Sequence, residues 1–564
     1  MKYTGAKILI ESLIKNGVDT IFGLPGSAVL HIYDELYKYK DKIRHILVSH
    51  EQHAAHAADG YARSTGKTGV CLATSGPGAT NLVTGIATAF VDSVPIVVIT
   101  GNVGTSLLGK DSFQEVDIAG ITMPIVKHNW IVEDVNNLAE IINEAFIVAQ
   151  AGRPGPVLID IPKDISSAVC DVETRINTEV NNRAERLLER TKRQTFNDID
   201  LEKVITLIKN SKYPMIFAGG GIIRSGASAE LKKLAEILGS PVALSFMGMG
   251  GIPHDHPLCT GLIGMHGTIA SSKALQNSDL LITLGARFSD RVTNGVKQFA
   301  LNTKIIHIDI DPAEINKNIS SDAFIIGDLK EVLTQLLKKI PAGFSSEWNG
   351  EIDTWKSETL NKKPEASKKT KTNKAALHPS FVIRETAKAL GENAIIVTDV
   401  GQHQIWTAQY YPFKNPGSFL SSGGMGTMGF GMGAAAGAKI ANQNFPVVLF
   451  TGDGCFRMNS AEMATLVKYK LPVLIIVFNN GTLGMLRQWQ KLLFKANYYE
   501  TNLDNNNPDF VKLAAAYDVP AFRSADEVSF LRALEKSSSI LTSGKPVLIE
   551  VIVNKDVQAS IVSI

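Results

Sequence analysis

The 564 residues exceed what one hydrophobic core accommodates, and about 150 residues per domain implies three or four domains. Hydrophobic residues make up 45% and charged residues 20%, the balance of an ordinary water-soluble globular chain. With 57 basic and 55 acidic side chains the net charge is +2, which gives no reason to expect nucleic acid or a membrane surface as partner.

Residues 5–17 place Ile8, Leu9, Ser12 and Leu13 at helical spacing, interrupted by Lys7, Glu11 and Lys15. This predicts an amphipathic first helix and not a signal peptide. A first α/β block, residues 1–170, is marked by β-rich apolar runs at 20–24, 45–49, 69–74, 95–100 and 156–161 with helical patterns between them. A second, 190–340, has runs at 214–218, 280–284 and 304–309. A third, 375–555, has runs at 394–398, 447–450, 473–478 and 546–553. Buried strands alternating with helices predict three doubly wound parallel-sheet domains of the α/β class. The polar segment 170–194 divides the first two, and segment 362–374, with six lysines and Pro364, reads as a solvated linker before the third.

The first and third blocks echo each other. Ser75-Gly76-Pro77-Gly78 and Ser422-Gly423-Gly424 each precede a small-residue helical stretch, and residues 155–159 resemble 545–549. Two similar sheets flanking a different middle domain are expected. Cys71, Cys170, Cys259 and Cys455 are scattered without a CxxC pair, so neither a disulfide framework nor a zinc site is expected, and a reducing cytoplasm is the simplest location. The apolar run 471–478 is far too short for a membrane span.

Chemistry concentrates in the third block. Gly452-Asp453-Gly454 follows a strand, and Asn479-Asn480 ends the next one after a helix near 461–470; 27 positions separate Asp453 from Asn480, the size of one βαβ unit. Both strands of a parallel unit end on the same edge, where open α/β sheets bind ligands. A carboxylate, an amide oxygen and main-chain carbonyls form a hard oxygen set suited to Mg²⁺, which completes its octahedron with phosphates. Gly452 and Gly454 admit backbone N–H groups close to such a phosphate. In the first block, Glu51 stands where a strand ends and an alanine-rich helix (Ala54, Ala55, Ala57, Ala58) begins. Read alone, it favours a helix N-terminus electrostatically.

GDG…NN at this interval resembles the thiamine diphosphate signature of the decarboxylase and carboligase superfamily. Within it, the chain is similar over nearly its whole length to acetohydroxyacid (acetolactate) synthase catalytic subunits. The likeness rests on Phe22-Gly23-Leu24-Pro25-Gly26, Thr74-Ser75-Gly76-Pro77-Gly78, Phe113-Gln114-Glu115, Arg153-Pro154-Gly155-Pro156, Met265-His266-Gly267-Thr268, Gly401-Gln402-His403-Gln404 and Gly484-Met485-Leu486-Arg487-Gln488-Trp489-Gln490. The resemblance implies that pyruvate loses CO₂ and the remaining hydroxyethyl unit joins a second pyruvate or 2-oxobutyrate, toward valine, leucine and isoleucine. It implies that Glu51 hydrogen-bonds the aminopyrimidine ring, and that Glu51 and the GDG segment of one site come from different subunits of a homodimer or tetramer. Asp453, Asn480 and the main chain of Thr482 match the metal ligands. Gly76, Gly401, Gln402, His403, Gly452 and Gly454 match cofactor positions, and Met428 the apolar wedge beneath it; without the match Met428 reads as core packing. Gln114 and Lys163 match polar groups near the reacting centre, and Lys163 alone would pass for a surface charge. Arg291 matches the cation for the acceptor carboxylate, for which an Arg fork is suited. Ser289 stands where the family more often has Asp. Trp489 matches the wall against the acceptor's extra methyl group.

In the middle block, Gly219-Gly220-Gly221 follows a strand and precedes a helical stretch, and Asp309 ends another strand, the usual place of a ribose partner. With Arg153, Met265, His266, Gly285, Arg287 and Asp328, this resembles the FAD-binding members of the family, in which a net non-redox reaction leaves the flavin a structural role. Two rivals remain at this level: a pyruvate oxidase-like flavin enzyme, against which Arg291 and Trp489 count, and a catalytically silent cofactor-binding regulator. Nothing in the sequence reveals whether a small regulatory subunit binds.

Overall fold

The β-branched runs form three six-stranded sheets in the computed structural model, which describes residues 2–171, 189, 196–293, 295, 299–341, 343–361 and 377–561. Every strand pairing within the three sheets is parallel. Parallel sheets are covered on both faces, and so Ile96–Asn102 and Val447–Gly452 are buried at every position.

The first sheet runs, in spatial order, Arg44–Leu47, Thr20–Gly23, Gly69–Ala73, Ile96–Asn102, Val157–Pro162 and His128–Ile131. The third runs Phe419–Leu420, Ile395–Thr398, Val447–Gly452, Val473–Asn479, Val547–Ile552 and Ala521–Ser524. Numbered along the chain, both have the order 2-1-3-4-6-5. The middle sheet runs Cys259–Leu262, Val242–Leu244, Pro214–Ala218, Leu280–Leu284, Lys304–Asp309 and Ala323–Ile326, the order 3-2-1-4-5-6 of dinucleotide-binding sheets. Two sheets of one topology flank a third of another, as the internal echoes suggest. The first helix spans Gly5–Lys15, with Thr4 Oγ1 accepting from the Lys7 amide at 3.2 Å. Lys2–Thr4 pairs antiparallel with Val169–Asp171, tying the two ends of the first block together.

Some local expectations change. The strands at 128–131, 242–244, 259–262, 323–326, 419–420 and 521–524 lie outside the expected runs; all but 242–244 are edge strands, and all are short, two to four residues. Lacking a neighbour on one side, an edge strand needs fewer apolar residues, and both ends of His128–Ile131 are exposed. The helix expected near 461–470 begins much earlier, at Asp453. It runs Asp453–Asn459, tightens at Ser460–Glu462 and resumes at Met463–Lys468. The GDG segment is therefore a helix N-terminus and not a separate turn: Gly452 is extended (φ −100°, ψ 160°) and Asp453 is the first helical residue. The segment 362–374, and 170–194 except residues 170, 171 and 189, lie outside the described residues.

The first and third domains pack through one helix pair. Glu51–Thr65 lies against Gly431–Ala441, and the small residues expected to permit close approach do so: Ala54, Ala55, Ala57 and Ala58 are fully buried. A Cβ at Gly60 would lie 2.2 Å from the Ala434 carbonyl oxygen, and one at Gly437 would lie 1.9 Å from that of Ala57. His53 Nδ1 and Glu462 Oε2, 2.8 Å apart, bridge the same two domains. Among the described residues no helix is long and apolar enough to cross a membrane.

Candidate active site

Gly452 is registered against Phe478, so Asp453 and Asn480 leave adjacent strands at the same edge. Gly481, in the left-handed region at φ 65°, turns the chain there, and its amide donates to Asn479 Oδ1 at 3.1 Å. Asp453 is almost completely buried. Its carboxylate accepts from the Gly454 amide (3.0 Å) and from Asn507 Nδ2 (2.8 Å), and among the described residues it has no cationic partner. Burial outweighs these bonds and pushes its carboxyl up to about 6. Asn480 Oδ1 accepts from the Thr482 amide at 3.1 Å.

This edge opens into a cleft lined by residues of the third domain. Gly401, Gln402, His403, Met428, Gly452, Asp453, Gly454, Asn480 and Thr482 all line it. Val400, Trp406, Phe478, Leu483 and Met485 supply apolar walls. His403 Nε2 is buried without a partner, and burial lowers its imidazole to about 3, so the ring is neutral here. A buried carboxylate lacking a cation and an imidazole nitrogen lacking a partner fit a divalent cation carrying a diphosphate. Asp399, which sequence reasoning missed, holds the frame. Fully buried, it accepts from the Gly429 amide (2.7 Å), Thr451 Oγ1 (3.0 Å) and Asn459 Nδ2 (3.0 Å). One carboxylate thereby fixes the Met428 loop to both sides of the GDG segment.

The first-domain candidates form a second cluster. Glu51 opens its helix and is 6% exposed; its Oε2 accepts from Asn81 Nδ2 at 2.9 Å, and its Oε1 lies 3.3 Å from where a Cβ on Gly78 would stand. Gly76 packs on the main chain of Gln114, itself at φ 59°. Lys163 is exposed where Val157–Pro162 ends. Asn81 carries no motif of its own, although it lies three residues past Gly78. Among the described residues no side chain of the first domain lines the cleft. Trp489 is half-buried and off the lining, one helical turn beyond Met485.

The middle-domain candidates gather at the carboxyl edge of their sheet. Gly219, Gly285 and Asp309 end or follow three adjacent strands, and Met265 and His266 follow Cys259–Leu262. Close packing explains part of the glycine pattern, since a Cβ at Gly219 would lie 2.2 Å from the Gly285 oxygen; Gly220 faces Met247 more loosely. Asp309 is buried, and desolvation pushes its carboxyl up to about 6; its Oδ1 accepts from the Asp311 amide at 2.9 Å. Asp328 caps helix Leu329–Lys339 through the Lys330 and Glu331 amides. Arg153 reaches across from the first domain to Asp311 (3.2 Å) and Glu314 (3.1 Å), and an Arg287 nitrogen lies 3.2 Å from where a Cβ on Gly424 would stand. Arg291 is exposed, its Nη1 3.8 Å from Met265 Sδ, with only a loose 3.7 Å approach to Asp290.

Two like-ordered parallel sheets, a dinucleotide-type sheet between them and a cleft at a GDG edge define the class of thiamine diphosphate-dependent enzymes. Models of the thiamine pyrophosphate enzymes match in three pieces: the N-terminal TPP binding domain at 3–121, the central domain at 201–336 and the C-terminal TPP binding domain at 399–551. The chain is 45% identical over 560 residues to a probable acetolactate synthase large subunit of Methanocaldococcus jannaschii, covering 98% of this chain and 92% of that one. It is 43% identical over 574 residues to an acetolactate synthase of Mycobacterium leprae (98% and 88%), and 44% over 561 to an acetolactate synthase large subunit of Corynebacterium glutamicum (99% and 88%). The chain belongs to the acetolactate synthase large-subunit family.

Proposed function

We propose that this chain condenses two 2-oxo acids, decarboxylating pyruvate and joining the two-carbon remainder to a second pyruvate or to 2-oxobutyrate. The products are 2-acetolactate and 2-aceto-2-hydroxybutyrate, the branched precursors of valine, leucine and isoleucine. The observation that carries this reading is the cleft, where, among the described residues, buried Asp453 has no cationic partner and His403 Nε2 no hydrogen-bond partner. Asp453, Asn480 and the Thr482 main chain would hold Mg²⁺, and Gly401, Gln402, His403, Gly452 and Gly454 the diphosphate. When bound, thiamine diphosphate supplies the carbon acid that adds to the 2-oxo group and takes up the electron pair left by departing CO₂.

The chain's residues bind, orient and move protons. Met428, anchored through Gly429 to Asp399, supports the cofactor from below. Glu51, oriented by Asn81, exchanges a proton with the pyrimidine ring nitrogen, and Gly76 and Gln114 complete that wall. Lys163 lines the approach. Arg291, free of close ion pairs, binds the acceptor carboxylate, and Trp489 shapes the acceptor side. Because Glu51 and the cleft form separate half-sites, a complete site needs the first domain of a second copy, and the active form is a homodimer or a dimer of dimers. Exposed Phe113, Met123, Leu486, Leu493 and Phe494 are suited to that contact.

FAD is proposed at the middle-sheet edge, with Asp309 on a ribose hydroxyl, Gly219, Gly220 and Gly285 admitting the dinucleotide close to the main chain, Met265, His266 and Asp328 around it, and Arg153 and Arg287 beside its anionic part. The net condensation moves no electrons, so the flavin's role there is structural. The name "large subunit" borne by relatives supports a smaller regulatory partner, and cysteines scattered without a CxxC pair support a cytoplasmic location. The test is to incubate purified chain with pyruvate, thiamine diphosphate, Mg²⁺ and FAD and to measure acetolactate after acid conversion to acetoin. Acetate or acetyl phosphate with flavin bleaching, or no pyruvate consumption, would overturn the reading.

A further inference from the structure

The helix Gly484–Leu493 exposes Leu486, Leu492 and Leu493 and buries a single residue, Gln488. A glutamine inside and leucines outside invert the usual helix pattern, so the buried amide must be satisfied by something specific. Gln488 Oε1 accepts from the main-chain N–H of Ala559 (3.0 Å), and Gln488 Nε2 donates to the Ala559 carbonyl (2.9 Å). Main-chain polarity is fixed, and this clasp therefore decides which end of the Gln488 amide is oxygen.

The consequence passes along a row of amides. Gln488 Oε1 also accepts from Gln402 Nε2 at 2.8 Å, and the same nitrogen lies 3.2 Å from the Val557 carbonyl. With its nitrogen committed on that side, Gln402 turns Oε1 toward Asn480, whose Nδ2 donates to it at 3.4 Å. Asn480 then has its nitrogen drawn to Gln402 and its Oδ1 turned to the Thr482 amide, 3.1 Å away. The space is kept by Gly484, where a Cβ would lie 2.1 Å from Gln402 Oε1 and 2.8 Å from Asn480 Nδ2. We propose that Gln488 is a positioning residue that sets the amide polarity of Gln402 and, through it, makes Asn480 present oxygen rather than nitrogen to the cation. The inference rests on the reading of Asn480 as a magnesium ligand. Partners of metal ligands are worth about 10–100-fold in affinity, which makes the effect measurable.

The experiment follows Mg²⁺-dependent thiamine diphosphate binding to the full chain by intrinsic fluorescence, without substrate. Gln488→Met keeps the side-chain volume and removes both polar groups. It should raise the half-saturating Mg²⁺ about tenfold. Gln402→Met should do at least as much, and adding Gln488→Met to it should change nothing further, because residues acting through one another are not additive. Gln488→Glu keeps the acceptor that faces Gln402 and, when protonated, a donor for the Ala559 carbonyl, so it should fall between wild type and Gln488→Met, a partial rescue that a merely structural role would not give. Unchanged Mg²⁺ dependence in Gln488→Met, or an equal loss in both backgrounds, would overturn the proposal. If Gln488→Met does not fold, a loss above about tenfold in Gln488→Glu overturns it instead. A Gln402→Met variant with wild-type binding would instead sink the cleft reading on which the proposal stands.

Discussion

Glu51, at a helix start, and Asn81, at the end of the short helix Pro77–Asn81, lie 2.9 Å apart, and that contact orients the carboxyl group. Glu51→Gln should retain thiamine diphosphate and Mg²⁺ binding yet lose about 10²–10⁴ in turnover, since the amide cannot exchange a proton at the ring nitrogen. Steady-state rates on cofactor-saturated protein check this, and near-normal turnover would remove Glu51 from the mechanism. A second acid reports on stability. Asp160 accepts from Thr100 Oγ1 (2.7 Å) and Asn102 Nδ2 (2.6 Å), but burial dominates and holds its carboxyl at about 6 against an ordinary 3.8. The native state binds this proton more tightly than the unfolded chain, so the contribution is present at low pH and lost as pH rises from 3.8 through about 6. At ~1.4 kcal/mol per unit, the stability advantage of wild type over Asp160→Asn should shrink by up to about 3 kcal/mol across that window. Urea unfolding of both proteins at the two ends of the window decides it. Asp453 and Asn480 were legible because one βαβ unit carries both; Asn81, Asp399, Gln488 and Asn507 were not, because each acts through a partner distant in sequence.

At the scale of elements, the helix pair Glu51–Thr65 and Gly431–Ala441 was half legible. The alanines announce close packing, while the matching Gly60 and Gly437 acquire meaning only once the helices cross. Gly437→Ala places a methyl group where the Ala57 oxygen already lies 1.9 Å away. Overpacking of this kind costs about 1–3 kcal/mol, read as a lowered denaturation midpoint. An unchanged midpoint would mean that the helices part without penalty. Central strands such as Pro214–Ala218, Leu280–Leu284 and Lys304–Asp309 coincide with their sequence signals, because two covered faces demand an apolar run. Five of the six edge strands and the true start of the GDG helix did not announce themselves. The first are only two to four residues long, and the second depends on Gly452 being extended while Asp453 is already helical.

Across the whole molecule, three domains meet at one buried charge cluster. Arg63 donates to Asp59 (2.6 Å), Asp92 (3.0 Å) and the Ser421 carbonyl (2.9 Å). Asp92 also accepts the Gly423 and Gly424 amides, and its main-chain oxygen takes a bond from Arg224 of the middle domain at 2.6 Å. Breaking one member of a buried pair typically costs about 3–5 kcal/mol, so Asp92→Ala should lower thermal stability sharply, and a Tm equal to wild type would show that the domains hold together by other contacts. Among the described residues no first-domain side chain lines the Asp453 cleft, and the proposed site is therefore completed by a second copy. Co-expression of Glu51→Gln and Asp453→Ala chains, each inactive alone, tests this most directly. Random pairing makes about half of the dimers hybrid, each with one intact site in two, and acetolactate formation from pyruvate should return to about a quarter of the wild-type rate. A co-expressed mixture no more active than the separate variants would contradict a site shared between two chains.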